Sequence, residues 1–254
     1  MKDISELFWS ASLEDIKRGY VYNPQNEEYT CLVCGTGFTK GIVYQEDGVF
    51  YEAGKYAAVH IAKEHSSMFE YLVNLDKKLT GLTEHQRNLL TYFYNGYSDS
   101  EIVKELEGGS TSTVRNHRFT LREKEKQAKV FLAIMELLDS KPARRQKFVS
   151  IHRSATMLDE RYAITEEENE KTLRTYFKEG PEGPLSEFPT REKKKIIVLK
   201  HLTKRFELNR KYTEKEVNEK LKEIYHDYVT IRRYLIEYGF MDRQRDGSLY
   251  WVKL

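Results

Sequence analysis

Residues 82–121 read LTEHQRNLLTYFYNGYSDSEIVKELEGGSTSTVRNHRFTL, and the punctuation of this stretch decides the fold. Thr83 and Gln86 fit the S/T-x-x-E/Q pattern in which a hydroxyl and a carboxamide cap a helix start reciprocally. Leu89, Leu90 and Phe93 then recur on one helical face, and Gly96 supplies a stop. Ser98 and Glu101 repeat the cap, Ile102, Val103 and Leu106 repeat the face, and Gly108-Gly109 ends it. Ser110 opens a third helix through Thr111-Ser112-Thr113-Val114-Arg115-Asn116-His117. Past Arg118 the chain runs RFTLREKEKQAKVFLAIMELL without Gly or Pro, so one long helix is expected from Thr111 to near Leu138. Phe131, Leu132, Met135 and Leu138 make an apolar stripe on its far end, a candidate homodimer seam, although a stripe buried against its own chain would read the same in sequence.

Three helices joined by Gly-bearing turns form a compact unit whose last helix turns Thr111, Arg115 and Asn116 outward. Arginine pairs bidentately with guanine, and asparagine with adenine, on major-groove edges. Hydroxyls near a helix start bind phosphate alongside free backbone N–H groups. Arg118 and Arg122, further along, are placed to touch phosphate or flanking bases. The residues therefore point to double-stranded DNA, and the competing reading is a plain helical bundle with a polar third helix.

The stretch resembles the LuxR/GerE-type helix-turn-helix of bacterial transcription regulators. Leu82-Thr83, Gly96-Tyr97-Ser98, Glu101-Ile102, and Ser110 followed by Thr113-Val114-Arg115-Asn116-His117 carry the resemblance. It implies that Arg115 and Asn116 face bases and that Thr113 lies near the DNA backbone. The chain departs from the family at Gly109 and Arg118, where apolar residues are usual, and in its unbroken last helix.

Composition limits the alternatives. A chain of 254 residues holds two or three small domains. With 18 Tyr and 12 Phe it is too aromatic for a disordered chain. No apolar run reaches the roughly 20 residues of a membrane helix, and the start MKDISELFWSASLED lacks a signal-peptide core, so a cytoplasmic protein is expected. Net charge is only +2, so nucleic-acid binding must rest on local patches. One lies C-terminally: residues 186–254 hold 17 Lys and Arg against 11 Asp and Glu.

The two cysteines form Cys31-x-x-Cys34, with Gly35 and Gly37 behind them. Gly41–Tyr44 and Val49–Tyr51 read as strands around Asp47-Gly48, a hairpin signal, and a helix from near Gly54 carries His60 and His65. Two thiolates and two imidazoles are the ligand set of a tetrahedral structural zinc site. Five residues apart on a helix, the two histidines sit about 140° out of line, so the helix end must loosen or the ring angles must differ. The alternative is two free thiols with two unrelated histidines. The stretch resembles a zinc-finger ββα unit, with Phe38 after the knuckle. Upstream, residues 1–22 read as one or two helices with Ser12 as a cap. Downstream, residues 66–79 read as a joining helix.

After a break at Ser140-Lys141-Pro142 come the basic run 143–147, Ile151-His152-Arg153, Met157-Leu158 and a helix at 166–177. His152, Asp159 and Arg161 can be drawn as an acid/base cluster. Without a nucleophile or a phosphate-cradling loop, a salt-bridged connector is the preferred reading, and no enzyme is expected. Gly180-Pro181-Glu182-Gly183-Pro184 reads as a linker. Beyond it Thr190, Thr213 with Glu216, and Asp227 each cap a helix, Gly239 stops the third, and Asp246-Gly247 turns a hairpin. This is winged-helix order, with Thr230, Arg232 and Arg233 on the helix that would enter a groove and Arg243 and Arg245 on the wing. Arg232-Arg233-x-Leu235, Gly239-Phe240-x-x-Arg243 and Asp246-Gly247-x-x-Tyr250 resemble a small C-terminal domain of uncharacterised function attached to bacterial regulators.

The expected architecture is mainly α with small β-hairpins (α+β). It comprises a zinc-finger-like domain over 1–79, a helix-turn-helix over 80–139, a connector over 140–187 and a winged-helix-like domain over 188–254. The expected role is a sequence-specific DNA-binding regulator. The alternative is an adaptor whose finger and winged domain dock proteins such as RNA polymerase.

Overall fold

The structure, a computed structural model, describes residues 4–140, 147–152, 154–155 and 159–253. Lys141-Pro142 of the expected break, basic positions 143–146, Arg153 and Met157-Leu158 lie outside these residues. The chain is mixed α and β with small antiparallel sheets, and it divides into two compact units. One joins 1–71 to 146–254; the other is 72–145.

In the first unit, α1 (Ile4–Ser10) and α2 (Leu13–Arg18) open the chain. Ser12 caps α2 by accepting from the Asp15 N–H, and Gly19 ends it at φ 86°. That left-handed turn sends Tyr20–Asn23 into a strand, β1, where a continuing helix was expected. Its partner is β2 (Glu28–Cys31), which pairs in turn with β3 (Gly37–Thr39). A separate hairpin follows, β4 (Val43–Glu46) with β5 (Val49–Glu52). Its turn residues Asp47 and Gly48 both have positive φ, the geometry that Asp-Gly favours between two strands. Then α3 (Ala53–Glu64) packs Ala53 and Ala57 on Phe38. The single helix expected over 66–79 is two short ones, α4 (Met68–Val73) and α5 (Lys77–Thr80), because Asp76 restarts a helix by capping the Lys78 N–H. Of these, α4 crosses the boundary between the units at 71/72, and α5 belongs to the second unit.

The rest of this unit is one hydrophobic core. A 3-10 turn (Glu160–Tyr162) and α9 (Glu166–Tyr176) precede α10 (Glu192–Thr203). Then come β6 (Tyr212–Thr213), α11 (Glu214–Lys222), α12 (Tyr228–Glu237), β7 (Met241–Arg243) and β8 (Leu249–Val252), with sheet order β6-β8-β7. Thr165 and Thr213 each start a helix with a full capping box. At α10 the cap residue is Arg191, without a side-chain cap, one residue past the expected Thr190.

The stretch read as a connector belongs to this core. Tyr162, Ile164, Tyr176, Phe177 and Leu185 are buried with Leu199, Leu202, Leu221 and Ile231. The expected linker is pinned as well: the Pro181 carbonyl accepts from His201 Nε2 at 2.6 Å and from Arg205 at 2.9 Å. Asp159 and Arg161 form a fork of hydrogen bonds at 2.6–3.0 Å, while His152 is buried elsewhere against Phe240 and Ser154. The N-terminal part meets this core directly. Trp9 Nε1 donates to the Ile151 carbonyl at 3.0 Å, and Asn209 Nδ2 donates to the Cys34 carbonyl at 2.7 Å.

The second unit holds α6 (Glu84–Tyr94), α7 (Asp99–Glu105) and α8 (Thr111–Asp139). Thr83 with Gln86, and Ser98 with Glu101, form complete capping boxes, and Ser110 accepts from the Thr113 N–H. Leu89, Ile102 and Val114, one from each helix, make its buried centre. The last helix is continuous over 29 residues, as its lack of Gly and Pro required.

Candidate metal centre and an exposed helical face

The metal centre is built by a turn and a helix end. β2 delivers Cys31, whose N–H donates to the Thr36 carbonyl, and Gly35 at φ 78° donates back to the Cys31 carbonyl at 2.9 Å. This tight turn brings Cys34 beside Cys31. α3 supplies His60 from within and His65 from its end. His65 is the C-cap, at φ −126° and ψ 10°, and Ser66 follows at φ 58°. The helix thus stops one residue before His65, which removes the 140° misalignment that a continuous helix would impose. Cys34 Sγ lies 3.2 Å from His60 Nε2, and Cys31 Sγ lies 3.5 Å from His65 Nε2. All four donor atoms fall within 4.8 Å of one another.

The donor set fits a metal ion. Zn–S bonds of about 2.3 Å and Zn–N bonds of about 2.05 Å in a tetrahedron give an S···N edge of about 3.6 Å, close to both contacts. The Val33 N–H donates to Cys31 Sγ at 3.3 Å, and the Thr36 hydroxyl sits 3.1 Å from Cys34 Sγ, so the sulfurs already have outer partners. The neighbouring Cys31 thiol holds Cys34 below the ordinary thiol range, against the opposing effect of burial. The same pairing, with burial, pushes Cys31 upward. A pair that readily gives up one proton is what a thiolate-binding cation needs. Aromatic packing fixes His60: its ring is 5.2 Å from buried Phe38, which also meets Tyr44 and Tyr56 edge-on. Tyr44 and Tyr56 stack at 4.9 Å, and Tyr56 donates to Glu46 at 2.8 Å, while Lys63 pairs with the same carboxylate. Glu46 sits below its ordinary pKa because Lys63 and then Tyr56 donate to it.

Residues 184–252 match the model of a family described as an uncharacterized protein conserved in bacteria (DUF2087). That span begins at the end of the pinned loop and runs through β8. No curated protein and no solved structure matches the chain.

The opening of α8 is two-sided. Val114 is buried between the other two helices, while Thr111, Thr113, Arg115 and Asn116 are exposed. Arg118 points elsewhere. It bonds Asp99 at 2.7 Å, and its guanidinium lies 3.8 Å from the centre of the Phe93 ring. It braces α8 against α6 and α7, while its side chain stays 43% exposed. Arg122 pairs with Glu125 on its own helix, with both side chains well exposed, and stays available. In the C-terminal domain Arg232 bonds Glu214 at 2.6 Å and Asn218, lies over Tyr250, and its side chain is only 15% exposed. Arg233, Arg243 and Arg245 are exposed. The Asp99–Arg118–Phe93 clamp was missed at the sequence level. Its sequence signal was an arginine at a position where the motif that the stretch resembles is apolar.

Proposed function

We propose that this protein is a sequence-specific DNA-binding transcription regulator of the LuxR/GerE type, with α8 in the major groove and a structural zinc ion on Cys31, Cys34, His60 and His65. The observation that carries the reading is the two-sidedness of α8. One residue, Val114, roots its first turns, and Thr111, Thr113, Arg115 and Asn116 are exposed at the helix start, where Ser110 caps the Thr113 N–H. Four protein donors leave no open coordination position, so the zinc staples a module too small to hold a core by itself and does no catalysis. The order α10-β6-α11-α12-β7-β8, with β6 hydrogen-bonded to β8, supports a winged helix. In it, Arg233, Arg243 and Arg245 would contribute phosphate contacts. A homodimer joined along α8 would read a two-fold-symmetric site.

Selection of duplexes from a random pool tests the reading. A recovered consensus is expected, and Arg115→Ala should weaken it by about 1–3 kcal/mol at one base pair and relax the preference there. Binding without sequence preference, equal in wild type and variant, defeats it.

One observation favours the adaptor reading. The β4–β5 hairpin exposes Val43, Val49 and Phe50, with Ile42 beside them, and Phe50 is 68% exposed. Apolar residues grouped in this way often mark a protein contact. Failure to bind random duplex at low salt, with retained metal, would select the adaptor.

A further inference from the structure

A cleft in the first unit lies where the first and last described residues of the chain come together, beside the cysteine turn. Its volume is about 440 Å³, within the range of ligand-binding clefts. Ile4 of α1 forms one wall, Phe206 and Leu208 of the segment after α10 a second, and Phe240 and Val252 a third. Its charged lining is mostly cationic: Lys200, Lys204, Arg205 and Lys253 against Glu207. Most of these charges are answered. Lys200 meets Glu6 and the Ser150 carbonyl, Arg205 meets Glu182, Lys253 meets Asp242, and Glu207 meets Arg210. Lys204, at the C-terminal end of α10, is exposed and has no ion pair among the described residues.

We propose that this cleft binds a small organic monoanion with an apolar body, which lies between α1 and the C-terminal domain while its anionic head meets Lys204. The apolar walls explain the body of the ligand. A neutral apolar molecule would leave the surplus positive charge at the rim unanswered, and a cation would be repelled by it. The position gives the ligand a lever. Leu208 borders Gly35 of the cysteine turn, as does Ile4, and the next residue, Asn209, holds the Cys34 carbonyl. A ligand seated there would tie α1, the cysteine turn and the C-terminal domain together, which is the arrangement expected of an effector site. The inference stands whether or not α8 reads DNA.

Isothermal titration of the full chain with decanoate, decylamine and decanol, all below their micellar concentrations, tests it. Decanoate should bind saturably, one per chain, at least about tenfold tighter than decylamine, a margin set by a single charge contact. Lys204→Glu, a surface change, should abolish or invert that preference while decanol binding stays the same. Thr203→Trp, which fills the cleft beside Lys204, should remove binding of all three, with an unchanged thermal midpoint confirming the fold. The proposal is overturned if decanoate fails to saturate, or if Lys204→Glu keeps the wild-type preference. Undiminished binding in a folded Thr203→Trp chain also overturns it.

Discussion

His65 shows how much one torsion decides. Left inside α3 it would face away from His60; as the C-cap at φ −126° it brings Nε2 to 3.5 Å from Cys31 Sγ. Ser66 holds the stop at φ 58°, a region β-branched residues resist. Ser66→Val should therefore destabilise the turn by about 1–2 kcal/mol and weaken zinc binding, while Ser66→Gly should not, as read by competition with a chromogenic chelator. Equal affinities in the two variants would mean that the turn does not set the ligand geometry. The candidate metal donors were legible because all four lie in one stretch; the torsion that unites them was not, since nothing in the identity of Ser66 demands positive φ. A second residue carries a pH signature. Burial pulls His201 below its ordinary pKa, against the hydrogen bond to Pro181. Above the unfolded value of about 6.5 the ring is neutral in both states and contributes no pH dependence. As pH falls through 6.5 the unfolded chain takes up the proton first, so stability is lost, and the loss is complete once the folded pKa is passed. His201→Gln should remove this slope. The difference between wild-type and variant urea midpoints, followed from pH 7.5 to 5, isolates it from the metal ligands common to both, and a constant difference would refute it.

At the scale of elements, local chemistry was the readable part. The boxes at Thr83, Ser98 and Thr213 need only residues three apart, and each formed. What escaped needed partners further away. Four-residue β1 exists because β2 lies antiparallel to it, with Tyr20 opposite Cys31, and two-residue β6 because β8 pairs with it from far along the chain. Nothing in residues 20–23 alone outweighs the helical reading of what precedes them. The region 147–187 was misread for a similar reason. Its Pro and Gly residues look like a linker, yet Tyr176, Phe177 and Leu185 are spaced to reach a core built mostly from residues after 196. The caps permit a direct check. In Ser98→Ala, the Glu101 N–H loses its acceptor, and Ser98 Oγ no longer donates to the Glu101 carboxylate at 2.6 Å. A loss of about 1 kcal/mol should speed hydrogen exchange of the α7 amides severalfold while leaving α9 unchanged. Ile102, fully buried between three helices, should matter more: Ile102→Ala is expected to cost about 2–5 kcal/mol. Comparable exchange in the two variants would show that the cap, not the core, holds α7.

For the whole molecule, the unit formed by 72–145 interrupts a body whose two halves lie at opposite ends of the sequence. That body is closed by contacts no local pattern announces, such as Asn209 on the Cys34 carbonyl and Trp9 on the Ile151 carbonyl. The far end of α8 bears on assembly. Phe131, Leu132, Met135 and Leu138 are 65%, 48%, 41% and 48% exposed, with Val130, Ile134 and Leu137 exposed around them. Their spacing of one, three and three residues keeps the first four on one face, and charged side chains dominate the turns before them. A soluble helix rarely leaves so much apolar surface in water. A second copy meeting it in a two-fold seam would cover the stripe on both chains at once, and would set two α8 openings a fixed distance apart for two half-sites. Light scattering of the intact protein should then give twice the 30.1 kDa chain mass. The double change Phe131→Glu and Met135→Glu should return the chain mass with the helical signal retained, because an exposed helix face tolerates glutamate and a packed seam does not. In the same variant, affinity for a two-half-site duplex should fall to that of a single half-site, since linkage of the two contacts is lost while each α8 opening is intact. A wild-type mass of one chain, or a dimer indifferent to both glutamates, would move the seam elsewhere or remove it.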